Sequence, residues 1–78
     1  MSTKQLIGSV GIGRVLFVHG LDLEDYPVNG RIVGLTRDKI MVEIMDGSYQ
    51  GMKFPYDRQK NTSTARFAQD SHLSDDFI

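Results

Sequence analysis

A chain of 78 residues, 40% hydrophobic and 24% charged, has room for one small domain and not for a catalytic domain beside a large cofactor cleft. It contains no cysteine, which excludes disulfide frameworks, thiolate zinc sites and thiol nucleophiles. A net charge of −1 excludes a uniformly basic surface built to coat nucleic acid.

Charge is unevenly spread. All nine Lys and Arg lie within residues 1–66 against seven acids, and the other three acids, Asp70, Asp75 and Asp76, crowd the last nine residues. The longest apolar run, residues 15–18, falls far short of the roughly 20 needed to span a bilayer, so no membrane partner is expected. The opening residues 1–5 lack the charged-then-apolar build of a signal peptide, and a cytoplasmic protein is the expectation.

In chain order, Gly8, Gly11 and Gly13 form a flexible lead-in or a bulge; their spacing is not that of a dinucleotide fingerprint. Residues 13–19 read as a strand with Leu16 and Val18 on one face and Val15, Phe17 and His19 on the other. The stretch 21–28 is an acidic loop with apolar teeth, long enough for the first loop of a small barrel. Asn29-Gly30 is a turn signal, and residues 31–35 form the next strand. A short polar connection, residues 36–39, leads into residues 40–45, where Ile40, Val42 and Ile44 share one face and Met41, Glu43 and Met45 the other. Asp46-Gly47 marks another turn. Residues 51–56 give a fourth strand, with Met52, Phe54 and Tyr56 together, Lys53 behind them and Pro55 suited to a sheet edge.

The pattern dissolves after residue 56. The expected organisation is a β-barrel domain over residues 1–56 and a polar C-terminal tail over 57–78, mobile in the free chain, with at most one helical turn near residues 65–69. Four to five short antiparallel strands with apolar residues on both faces must close or be covered, which favours a small SH3-like barrel. The segment 29–53 resembles the repeating unit of such barrels, a scaffold shared by chromatin readers, ribosomal proteins, Sm-like proteins and viral accessory proteins. The resemblance implies a fold and no function.

Chemistry is sparse. Phe17-Val18-His19-Gly20 resembles the strand-end oxyanion motif of α/β-hydrolases, but no Gly-x-Ser-x-Gly elbow accompanies it. His19 and His72 are far apart in sequence with no ligand spacing, and Asp22, Glu24 and Asp25 lack the closing glutamate of a calcium loop. No cofactor, metal or enzymatic activity is expected.

Surface features remain. Tyr26, Met41, Met45 and Tyr49 are candidate contacts for a partner protein, together with the tip Asp75, Asp76, Phe77 and Ile78. That tip resembles the acidic, phenylalanine-containing tip through which bacterial single-stranded-DNA-binding proteins recruit partners, with Phe77-Ile78 in place of their Pro-Phe ending. The alternative is a single-stranded nucleic-acid surface in which Tyr49 and Tyr56 stack bases while Lys53, Arg58 and Lys60 track phosphates. A third reading is a structural subunit of a homo-oligomer or viral particle, its tail laid on a neighbour. The leading expectation is a protein-binding module, an accessory or inhibitor protein of phage or mobile-element type that acts on a partner's surface.

Overall fold

The computed structural model describes residues 10–77. Five strands, β1 (Val15–His19), β2 (Val28–Leu35), β3 (Lys39–Ile44), β4 (Lys53–Asp57) and β5 (His72–Ser74), form one antiparallel sheet in the order β4-β3-β2-β1-β5. A single 3₁₀ turn, Arg66–Ala68, precedes β5. A long first loop, consecutive β1 to β4, and a last strand returning beside β1 after a 3₁₀ turn make this an SH3-like arrangement, curled into a half-barrel. No helix among the described residues is long and apolar enough to cross a membrane.

The alternation predicted for β1, β3 and β4 selects the inner face, and β2 adds its own buried positions to it. Leu16 and Val18 of β1, Ile32 of β2, Ile40, Val42 and Ile44 of β3, and Phe54 and Tyr56 of β4 are all buried. Cross-strand pairs stack them in rows, Val18 between Val28 and Leu73, and Val42 between Ile32 and Phe54. The register of β2 on β3 shifts between Ile32 and Gly34, and this irregularity bends the longest strand so that the sheet can curl.

Asn29-Gly30, expected as a turn, lies inside β2. Gly30 is there for want of space, since a Cβ on it would sit 2.8 Å from Val18 Cγ2 and 2.9 Å from Val42 Cγ1. Met52, expected beside Phe54 and Tyr56, precedes the strand and is exposed. Met41 and Met45 point away from the core, Met41 exposed and Met45 half-buried.

Residues 57–77, expected as a mobile polar tail, are built into the fold. Ala68 and Leu73 join the core, and β5 pairs with the outer edge of β1. The sheet ends at β4 and β5, and side chains close the gap between them. Asn61 donates from Nδ2 to the Leu73 carbonyl and accepts the Leu73 N–H at Oδ1, each at 2.8 Å. Ser63 Oγ donates to the Pro55 carbonyl at 2.7 Å, and the Asp57 N–H bonds to the Thr62 carbonyl, so the β4 edge is covered. Inside the seam, Ser71 Oγ donates to the Ala68 carbonyl at 2.6 Å, leaving Tyr56 OH to donate to Ser71 Oγ at 2.5 Å. Every described buried side-chain N or O atom has a hydrogen-bond partner.

Candidate functional site

Three loops meet at the end of the barrel where β1 and β3 finish: residues 20–27, residues 45–52, and the 3₁₀ turn with its flanks. The first of these is pinned along its length. Leu21 is buried, the Asp22 N–H bonds to the Phe67 carbonyl at 3.1 Å, and the Glu24 N–H closes a turn on the Leu21 carbonyl at 3.3 Å. The Glu24 carboxylate reaches the second loop and accepts the Ser48 N–H at 3.3 Å. That approach needs a glycine at position 47, which has φ +85° and where a Cβ would collide with Glu24 Oε2. Asp46 ties the second loop to β2 by accepting from both the backbone N–H and the side-chain amide of Asn29.

A well-fastened loop would ordinarily turn its apolar side chains inward. Here Leu23 is 82% exposed and Tyr26 is 75% exposed, flanked by Asp22 and Asp25. Leu23 also occupies the third position of the 21–24 turn at φ +67°, a conformation that favours glycine or asparagine and costs leucine about 1–2 kcal/mol. Both penalties fall on one side chain that sequence reading named only as part of an apolar-toothed loop. The signal available beforehand was a leucine at a turn between acids.

The other predicted contact residues scatter. Tyr49 is half-buried, its ring stacked on Phe67 at 4.5 Å; Phe67 meets Phe54 edge-on at 4.8 Å, and Phe54 leans on Tyr56. Tyr49 is thus the outer end of an aromatic chain running into the core. Met41 lies across from Pro55 on the outer sheet face, away from the loop end. The C-terminal tip folds onto the outside of β1. Asp75 pairs with Arg14, the His19 Nε2–H donates to the Asp76 carbonyl at 2.8 Å, and Phe77 meets Phe17 edge-on at 5.6 Å, its ring still partly exposed. His19 and His72 stack beneath it at 4.8 Å. Ile78 and Gly8 lie outside the described residues.

The residues of the nucleic-acid alternative do not form one surface. Tyr56 has no exposed area, so it has no face to offer a base, and burial pushes its phenol up from the usual value. Lys53 stands opposite Glu43 on the outer sheet face, whereas Arg58 and Lys60 lie in the turn after β4. In that turn the backbone N–H of Lys60 above all, then that of Gln59 and the charges of Lys39 and Lys60, hold the Asp57 carboxyl below its usual range, outweighing some desolvation. Among the described residues, no three His, Asp or Glu side chains gather as a metal site would require.

Comparison with protein-family models, with characterised proteins and with solved structures finds no match to this chain.

Proposed function

We propose that the protein is a non-enzymatic protein-binding module that presents its first loop to a partner protein. The observation that carries this reading is Leu23, 82% exposed and at positive φ in a loop fastened at Leu21, Asp22 and Glu24. Strain of this kind persists when its surroundings over-determine it, and it gathers at functional positions. A rigid loop also loses little conformational entropy on binding, so exposed apolar anchors on it convert efficiently into affinity.

The chemistry of the loop describes the partner. Leu23 and Tyr26 require apolar pockets, and Asp22 and Asp25 beside them favour a rim of Lys and Arg. Such binding would let the protein act as an accessory or inhibitor, by occupying a surface its partner needs.

The test is capture from nuclease-treated lysate of the cells in which the protein acts, using the parent chain, Leu23→Asn and Tyr26→Ala. One discrete protein retained by the parent and lost by both variants, with thermal midpoints undiminished, supports the reading. Equal capture by all three would overturn it.

A further inference from the structure

The three-loop end carries Asp22, Glu24, Asp25, Asp46 and Asp70 against Arg66 alone, whereas at the opposite end the two turns after β2 and β4 carry Arg37, Lys39, Arg58 and Lys60 against Asp38 and Asp57, and Arg14, just before β1, is paired with Asp75, just after β5. Near-neutral totals conceal this polarity. The basic end comprises two turns locked to each other. In the β2–β3 turn the Thr36 N–H bonds to the Lys39 carbonyl at 2.9 Å, and the Lys39 N–H to Thr36 Oγ1 at 3.0 Å. In the turn after β4 the Asn61 N–H bonds to the Asp57 carbonyl at 2.8 Å, and Asp57 Oδ1 accepts the N–H groups of Gln59 and Lys60. Arg58 joins the two, its backbone N–H bonding to the Asp38 carbonyl at 2.9 Å and its guanidinium to the Thr36 carbonyl at 2.8 Å. Four cations therefore stand on one rigid frame, while the Asp57 carboxylate is turned into its own loop.

What surrounds them limits the partner. Thr36, Arg37, Asp38, Lys39, Arg58, Gln59 and Lys60 are all exposed, and none of the exposed large hydrophobic side chains comes from residues 36–39 or 57–62. An acidic protein surface would need an aromatic or aliphatic anchor here. Single-stranded nucleic acid would need a ring on which to stack bases. A phosphate backbone needs neither, only fixed cations with hydroxyl and amide donors beside them.

We infer that this end binds the sugar–phosphate backbone of a double-stranded nucleic acid without regard to sequence, through Arg37, Lys39, Arg58 and Lys60. It is independent of the loop at the other end, so one molecule can carry both contacts.

The test is fluorescence anisotropy with a labelled duplex of about 20 base pairs, with three to four phosphate contacts giving a slope of about −3 in log K against log salt and an affinity loss on the order of fifty-fold between about 50 and 200 mM salt. Arg37→Glu/Lys60→Glu should weaken binding about tenfold or more, whereas the charge-matched control Lys53→Glu/Arg66→Glu should change it by less than about threefold. Arg37→Gln/Lys60→Gln, tested alongside, should weaken binding in the same direction without introducing charge repulsion, and circular dichroism checks that each variant folds. No duplex binding at low salt, equal loss in the two charge-reversal pairs, tighter binding of a single strand, or displacement of the duplex by polyglutamate as readily as by polyphosphate would each overturn the assignment. None of these outcomes depends on Leu23 or Tyr26, so failure here and failure of the loop reading are separate results.

Discussion

Asn61 stands to Leu73 as a neighbouring strand would, its amide giving and taking one hydrogen bond with the two backbone groups of that residue, each at 2.8 Å. One side chain thus replaces the ladder missing between the β4 side and β5. The position suits asparagine twice, because its φ of +55° is a conformation asparagine tolerates better than most residues. Asn61→Ala should leave the Leu73 N–H and carbonyl buried and unpaired and destabilise the fold by about 2–4 kcal/mol. In a domain this small that lowers the thermal midpoint by roughly 10–20 °C. Asn61→Asp should be at least as damaging at neutral pH, where a carboxylate oxygen faces the Leu73 carbonyl. It should regain part of the loss, relative to the parent at the same pH, once acid lets the carboxyl donate.

The same seam predicts the effect of truncation. Ending the chain after Lys60 removes Asn61, Ala68, Ser71 and Leu73, and with them the partner of Tyr56 OH and the outer neighbour of β1. Such a fragment should be unfolded by circular dichroism and by amide exchange. A cooperative melt close to that of the full chain would show that residues 61–78 contribute no core.

Tyr56 should set an alkaline limit. Its phenol is pushed up in the folded state by burial, so above the usual tyrosine value the unfolded chain releases a proton that the folded chain retains. The unfolded state then binds fewer protons, and stability falls as pH rises beyond about 10. Tyr56→Phe should cost about 1 kcal/mol at neutral pH through the lost Ser71 hydrogen bond and flatten this alkaline decline. Denaturant titrations at neutral pH and at pH values above 10 measure both terms.

β1, β3 and β4 were legible because each buries alternate residues over five or six positions, which a period-two pattern reports directly; of β2 only residues 31–35 were read as strand, since its alternation runs over residues 28–32. The errors fall where structure depends on distant neighbours. Asn29-Gly30 has the composition of a turn, and only the Val18 and Val42 side chains explain its place in a strand. β5 offers one core residue, Leu73, in a three-residue strand, too short to carry a period. Its position comes from Asn61 and from β1, contacts that no local pattern encodes. Likewise Arg37 and Lys39 join Arg58 and Lys60 only because two turns pack together, and Tyr56 drops out of the basic surface because the core claims it.

Asp57 should contribute on the acid side. Its carboxyl is held below the usual range by the Lys60 N–H first and then by the Gln59 N–H and nearby cations, so this contribution is full at neutral pH and fades as pH falls below the unfolded carboxylate value. Asp57→Asn should make the acid unfolding curve shallower between about pH 5 and pH 2. Because the asparagine Oδ1 can still accept the Gln59 and Lys60 N–H groups, the change should be a shift in slope and not a loss of folding at neutral pH. Urea midpoints across that range provide the measurement.

Leu23 separates stability from binding. A leucine at φ +67° with 82% of its surface exposed contributes almost nothing to the core, while its backbone carries left-handed strain. Leu23→Asn relieves that strain and should leave stability unchanged or raise it by about 1 kcal/mol; Leu23→Gly gains less, because it also frees the unfolded chain. Leu23→Ala keeps the strain and should be neutral. If the side chain is retained for a partner, the variant that stabilises the fold is the one that loses capture, a trade expected of a residue held for binding. A clear loss of stability in Leu23→Asn, measured by denaturant unfolding, would instead mean that the side chain serves the fold, and the loop would lose its claim to be the binding surface.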